Sequence, residues 1–369
     1  MKIMATSGPN HGHLYPMVPL LWALRNAGHQ VLVAGPERFA RLATAAGLAS
    51  TSIADDFSLG DLGPAHWSQD SAVESVGRHV REYYVPAAER TAEGTVQLAE
   101  AWRPDLVIGP YWEFAAPIAA ARLGVPYVLH GWGLICHPQH ERPAREALLP
   151  LHDKWDVPED LPPAHYVDNC PPGLQWTEPP VPAIASRYGD YNGTAPVPDW
   201  LFDEPKAPRV VVTLGHVPVM GDHPDVVRTT LDALAEFDLD VVVAASDRLE
   251  AERFNARFVH GLPLSHVLPS CSAVIHHGGS GSSWSSTVAG LPQLALPQMC
   301  VQFQNADRLH EVGAGIALHP EVATVDAIAE AVQRLLFDGA ARQVAERLAA
   351  ENTRRPAFHE AAEALETLA

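Results

Sequence analysis

The stretch HHGGSGSSWSSTVAGLPQLALP, from His276 to Pro297, is the part of the chain best equipped to hold an anion. It follows the apolar run Ala273–His276 directly and opens onto a helix-like pattern. Gly278, Gly279 and Gly281 let a ligand approach the backbone, and the first N–H groups of a helix lack partners inside it. Those amides and the helix dipole favour negative charge, so a diphosphate can be held here without any lysine. Ser280, Ser282 and Ser283 add hydroxyl groups, and His277 adds a ring N–H. A tight strand-to-helix turn would also use glycine, but two histidines, this glycine–serine run and Gly290-Leu291-Pro292 together are far more restrictive.

A second chemical group is His13, in the loop SGPNHGH at 7–13. An imidazole titrates near neutral pH, and one placed at the carboxyl end of a strand can take the proton of a weakly acidic hydroxyl. On position alone, a helix-entry histidine satisfied by backbone is an equal reading. His11 is its neighbour in the same loop.

The elements that must position these groups alternate. Lys2–Ser7 reads as a strand, Met17, Leu20, Leu21 and Leu24 mark one helical face, and Gln30–Ala34 reads as the next strand. Further strands are expected at Asp105–Gly109 and Pro126–His130. Between 130 and 200 the pattern dissolves in a proline-dense stretch, read as cavity-lining loops running into a linker near Pro196–Pro208. It restarts with a strand at Arg209–Leu214, a helix over Pro224–Phe237 and strands at Asp240–Ala245, Ala273–His276, Gln293–Leu296 and Gly315–Leu318. The fold class is therefore α/β, with two doubly wound Rossmann-like domains presenting loops to a cleft. The expected boundaries are 1–200 for the first domain, 201–355 for the second, and 356–369 for a C-terminal helix returning to the first.

With 369 residues, 47% of them hydrophobic, the chain can fill two cores. A formal net charge of −19 argues against nucleic acid and anionic membrane as partners. Four dispersed cysteines show no disulfide or zinc spacing. No long apolar run or leader is apparent, so a cytoplasmic location is expected. Seven of nine tryptophans precede residue 180, which places an apolar binding cavity in the N-terminal half. Its candidate walls are Phe57, Trp67, Tyr83, Tyr84, Trp112, Trp132 and Trp155, although core packing accounts for a good share of such residues.

The motifs GHLYP at 12–16, WRPDL at 102–106, VVVTLG at 210–215, HHGGSGS at 276–282 and PQMCVQFQNA at 297–306 resemble those of GT-B glycosyltransferases of family 1. The resemblance is strongest to the actinobacterial enzymes that decorate antibiotic aglycones, and it runs from Met1 to Gly315. It implies an inverting transfer of a sugar from a nucleotide-diphosphate donor to a small apolar acceptor such as an aromatic polyketide or macrolide. His13 would be the general base. The donor would lie against Gly215, His216, Leu262, Pro263, His277, Gly278, Gly279, Ser280, Gly281, Ser282, Ser283, Gln298 and Gln302. The acceptor would meet Phe57, Trp67, Tyr83, Trp112 and Trp132. Relatives orient the histidine with an aspartate; the equivalent place here is Pro110, and Glu113 is the substitute carboxylate. Relatives using UDP-sugars carry glutamate at the position of Ser285, and relatives using fully hydroxylated sugars carry Asp-Gln where this chain has Val301-Gln302. Serine and valine there point to a dTDP-linked deoxysugar rather than a UDP-sugar. No cofactor or metal is expected, there being no Asp-x-Asp motif, and a homodimer is left open.

Three other functions share parts of this pattern. A dinucleotide oxidoreductase needs GxGxxG after the first strand, which SGPNHGH does not provide. A nucleotide-sugar epimerase would have no use for the tryptophan-rich half. A non-catalytic ligand- or partner-binding homologue fits Val301 and the missing aspartate.

Overall fold

The computed structural model describes residues 1–8, 10–62, 73–215, 224–244 and 254–368. The chain forms two compact units: Met1–Cys170 with Gln175–Gly189 and Arg355–Ala369, and Pro171–Leu174 with Asp190–Arg354.

The first unit opens with β1 (Lys2–Thr6), α1 (His11–Leu14) and α2 (Val18–Asn26), then β2 (Gln30–Pro36), α3 (Glu37–Ala45) and β3 (Ser50–Ala54). In α2, Leu20, Leu21 and Leu24 are buried, and Pro19 falls in the first turn, where no intrahelical N–H is lost. Next come α4 (Val73–His79) and α5 (Val85–Trp102), joined without a break by one π-helical turn at Val80–Tyr84. Pro86 explains the widened turn: it has no N–H to offer the carbonyl four residues back, so the ladder shifts there. The unit continues through β4 (Leu106–Pro110), α6 (Ala115–Leu123), β5 (Tyr127–His130), α7 (Arg142–Trp155), β6 (His165–Asp168) and β7 (Ala183–Ala185).

Its strands pair in parallel in the order β3-β2-β1-β4-β5-β6-β7. Ile3, Met4, Ala5, Leu106, Val107 and Ile108 are fully buried, as expected of strands covered by helices on both faces. The order reverses between β1 and β4, so the loops leaving these two strands flank the crevice where such sheets bind ligands.

Residues 130–200 are more regular than the sequence suggested. α7 occupies fourteen of them because Ala144, Leu148 and His152 recur every four residues on one buried face. Pro143 lies in its first turn, and Pro150 sits on the exposed side. β6 and β7 have four and three residues and extend the sheet at its edge; pieces so short leave no legible alternation.

The second unit contains β8 (Arg209–Thr213), α8 (Pro224–Leu234), β9 (Asp240–Ala244), β10 (Ala256–Val259), α9 (Leu264–Val267), β11 (Ala273–His276), α10 (Ser280–Val288), β12 (Gln293–Ala295), α11 (Val301–Glu311), β13 (Gly315–Ala317), α12 (Val325–Phe337) and α13 (Ala340–Arg354). The parallel order is β10-β9-β8-β11-β12-β13, with the reversal between β8 and β11. Val210 and Val212 pack with Leu231, Ile328 and Val332 on one face. Val211, Val242 and Val274 pack with Val267 and Leu291 on the other.

The divide between the units falls at Gly189/Asp190, ahead of the expected residue 200. Beyond α13 the chain rejoins the first unit, where α14 (Phe358–Glu366) packs on α2. Arg355 secures this return: its guanidinium donates to the Ser186 carbonyl (2.7 Å) and the Asp168 carbonyl, and pairs with Asp168 Oδ2 at 3.0 Å. Among the described residues no helix is long and apolar enough to cross a membrane.

Candidate active site

His13 lies in α1, in the loop after β1, and is buried. Aromatic rings surround it. The Tyr84 ring is parallel to the imidazole with centroids 5.4 Å apart, Trp132 is at 4.4 Å and Trp112 at 6.5 Å. Each ring arrives on a different element: Tyr84 on the π turn, Trp112 just after β4, Trp132 just after β5. Trp112 adopts φ +63°, a left-handed conformation that costs a bulky residue roughly 1–3 kcal/mol and is tolerated where surrounding packing fixes it.

Polar contacts tie the imidazole to Tyr84. Tyr84 Oη is 3.3 Å from His13 Nε2 and accepts from Asn10 Nδ2 at 3.2 Å. His13 Nδ1 has no hydrogen-bond partner among the described residues. Burial, helped by the neighbouring His79, pushes His13 down from 6.5 to about 3, so the ring is neutral at physiological pH. His79 is itself pushed down to about 4 by burial.

Glu113 does not orient this histidine. Its Oε2 accepts from Thr6 Oγ1 (2.8 Å) and from the Ala116 N–H (2.7 Å). It thereby satisfies an amide in the first turn of α6, one of the groups every helix start leaves open. Burial raises its pKa above the usual carboxylate range, against the pull of those hydrogen bonds. Of the expected acceptor residues, Trp112 and Trp132 come together around His13, as does Tyr84. Tyr83 packs against His79 with centroids 4.6 Å apart, behind that group. Phe57 lies under the Arg90 guanidinium at 5.2 Å, and Trp155 beside the Lys154 ammonium at 5.1 Å. Trp67 lies outside the described residues.

In the second unit the chemistry gathers where β8 and β11 end. Gly279 is the N-cap of α10, and no side chain caps that helix start. The first amide to find a partner within the helix is Ser283 N–H, on Gly279 O. The amides of Ser280, Gly281 and Ser282 precede it in the same first turn. A Cβ on Gly279 would lie 2.1 Å from His277 Nε2, and one on Gly215 would lie 2.6 Å from His277 Cε1. The imidazole of His277 therefore sits in a slot that only two glycines permit. Gly278 is required twice over, by φ +77° and by the Gln302 carbonyl, 2.7 Å from where its Cβ would be. By contrast, a Cβ on Gly281 would meet nothing within 4 Å.

The turn is braced from below. His276 Nδ1 accepts the Gly278 N–H at 2.9 Å, so its Nε2 carries the proton and donates to Gln293 Oε1 at 2.8 Å. Gln293 Nε2 continues to Thr287 Oγ1 in α10. Asn305 Nδ2 donates to the Gly278 carbonyl (2.8 Å) and to Ser280 Oγ (3.2 Å). Gln302 Oε1 accepts the N–H groups of Gln298 and Met299, shaping the loop before α11, while Gln298 Nε2 turns back to the carbonyls of Leu296 and Pro297. Cys300, the N-cap of α11, takes φ +48° in this loop. Ser282 and Ser283 are buried along α10, Pro263 precedes α9, and Leu262 packs on the core beneath. His216 lies outside the described residues. Ser285 is fully buried, with its hydroxyl accepting from Asn192 Nδ2 at 2.9 Å. Its hydroxyl is committed inside the unit.

His276, Gln293, Asn305, Asn10 and His79 were not anticipated as parts of the site. Asn305 lay within the PQMCVQFQNA motif and was within reach of a sequence reading. His276 and Gln293 lay within the segment 276–297 and Asn10 within the loop 7–13, whereas His79 carries no local signature.

Two parallel, doubly wound sheets with their functional loops at the switch points are the architecture of GT-B glycosyltransferases. Comparison with known proteins agrees. The profile described as erythromycin biosynthesis protein CIII-like, N-terminal domain, matches residues 22–215, and its C-terminal counterpart matches residues 228–368. An L-demethylnoviosyl transferase of Streptomyces niveus is 38% identical over 365 residues, covering 96% of this chain and 95% of that protein. The 3-alpha-mycarosylerythronolide B desosaminyl transferase of Saccharopolyspora erythraea is 33% identical, covering 94% of this chain and 93% of that one. Among solved structures, the glycosyltransferase SsfS6 of Streptomyces sp. SF2575, complexed with thymidine diphosphate, superposes with a TM-score of 0.86 at 30% identity, covering 100% and 99% of the two chains. The chain belongs to the erythromycin biosynthesis protein CIII-like family and is a glycosyltransferase.

Proposed function

We propose that this enzyme transfers a deoxysugar from a dTDP-linked donor to a hydroxyl of a small apolar natural product, inverting the anomeric carbon, with His13 as general base. The observation that carries this reading is the start of α10, where uncapped amides and His277, slotted between Gly215 and Gly279, converge after β11. Thymidine diphosphate in SsfS6 and the deoxysugar named in the desosaminyl relative support the donor class. Val301, at the first position of α11, offers a sugar no hydrogen bond, which suits a missing hydroxyl.

The step forms a bond from the acceptor oxygen to the anomeric carbon and breaks the bond from that carbon to the diphosphate. The leaving group's charge is met by the α10 amides and His277. The acceptor proton passes to His13. A neutral imidazole of low basicity suffices when the proton leaves late, because the hydroxyl becomes strongly acidic as its oxygen bonds to carbon. Trp112, Trp132 and Tyr84 give a flat apolar acceptor its walls.

The test is a transfer assay with dTDP-deoxysugars and a panel of polyketide aglycones, read by mass spectrometry, with product configuration by NMR. Transfer with inversion, reduced about 10²–10⁴-fold by His13→Ala and unaffected by EDTA, is expected. Full turnover by His13→Ala would remove it from the mechanism. Tighter binding of UDP than of dTDP would overturn the donor assignment.

A further inference from the structure

Glu113 is spent on Thr6 and α6, so the partner that fixes His13 must be sought among the groups that touch it. Among the described residues, Tyr84 is the side chain within hydrogen-bonding distance of the ring. Tyr84 stacks flat on the imidazole, at an interplanar angle of 4°, and its oxygen faces Nε2 at 3.3 Å. That oxygen is held in turn by Asn10 Nδ2. The π turn brings it there, because the shift in the helix ladder before Pro86 re-aims the side chains of Val80–Tyr84. The imidazole's other nitrogen, Nδ1, is buried without a partner, and a Cβ on Gly8 would still stand 3.7 Å from it.

We propose that Tyr84, steadied by Asn10, is the positioning residue for His13: its phenol oxygen accepts the Nε2 proton, leaving the Nδ1 lone pair to receive the proton of the acceptor hydroxyl. This rests on the reading of His13 as base. Two observations favour this tautomer. A buried N–H donor left without a partner is rarer and costlier than an unpaired acceptor, so the proton belongs on the nitrogen that has an oxygen beside it. The residue beside Nδ1 is glycine, Gly8, just beyond β1 at the switch point of the sheet, so no side chain from that position covers or bonds this nitrogen. In the transfer step the acceptor O–H bond breaks, Nδ1 gains that proton, and the imidazolium formed keeps its Nε2–H on Tyr84. Tyr84 itself stays neutral throughout.

The experiment pairs kinetics with long-range ¹H–¹⁵N spectra of the histidine rings, His13 being assigned by its loss in His13→Gln. In the native enzyme His13 should show a protonated Nε2 and a bare Nδ1. Tyr84→Phe keeps the stacked ring but removes the oxygen. It should mix the tautomers and lower kcat about 10- to 100-fold with the donor KM unchanged. Asn10→Ala should move both readouts in the same direction by less, and it carries the test if Tyr84→Phe fails to fold by thermal melt. Native kcat and an unchanged Nε2–H signal in Tyr84→Phe, with His13→Gln inactive, would overturn the role of Tyr84 alone. Full turnover by His13→Gln would remove the base and this inference together.

Discussion

Replacing Gly281 by alanine separates what the α10 turn does for folding from what it does for the ligand. Gly281 is the second residue of α10, and a Cβ built there meets nothing within 4 Å. Its φ is not in the left-handed region, so the added methyl brings no backbone strain. Alanine should therefore stabilise the helix by about 0.4–1 kcal/mol, through lower entropy of the unfolded chain. In a unit of this size that raises Tm by about 1–4 °C. If the donor diphosphate rests on the first-turn amides as proposed, the same methyl projects into its space. Lengthening one or two charge-assisted hydrogen bonds, each worth about 1.5–3 kcal/mol, should weaken dTDP binding by tenfold or more. Scanning fluorimetry and titration calorimetry with dTDP read the two effects on one protein. Gly279→Ala is the contrast: its Cβ collides with His277 at 2.1 Å, so it should lower both stability and affinity. If Gly281→Ala raised Tm and bound dTDP as tightly as the native enzyme, the diphosphate would not sit on this turn.

Glu113→Gln should leave kcat within about threefold of native, since the carboxylate serves Thr6 and α6 rather than the base; a hundredfold loss would restore it as the partner of His13. Burial holds His13 at about 3 and His130, His140 and His276 at about 4 in the folded chain. Unfolding lets each return to its ordinary 6.5, so the unfolded chain binds more protons in that window and stability falls as pH drops through it. Urea midpoints should thus decline from pH 7 to 4.5, and a flat profile would contradict the buried neutral rings. Arg355→Ala removes the cation paired with Asp168 Oδ2 and frees the return of α14, at a cost of about 3 kcal/mol by thermal unfolding. A Tm unchanged within error would show that α14 is held by its packing on α2 alone.

Much of the fold was legible because parallel strands buried on both faces write themselves as short apolar runs. Lys2–Thr6, Arg209–Thr213 and Ala273–His276 could be placed to within a residue or so. α7 was hidden by the surrounding prolines, although its buried residues recur regularly, and β6 and β7 were too short to show a period. In the site, the glycine turn was readable since φ +77° and contact with the Gln302 carbonyl demand glycine whatever the distant fold. The position of His13 was readable for a similar reason, as it sits in the loop after the first strand. Its partner was not. Glu113 lies near the expected place in the chain, yet the open amide of α6 claims it, while Tyr84 reaches His13 from 71 residues away by way of a π turn. Ser285 shows the same limit, for Asn192 takes its hydroxyl across 93 residues.

The most direct test is a crystal structure with dTDP bound. The diphosphate oxygens should lie within about 3 Å of the Ser280–Ser282 amides and a ring nitrogen of His277. Diphosphate held elsewhere, with those amides facing only solvent, would contradict the account.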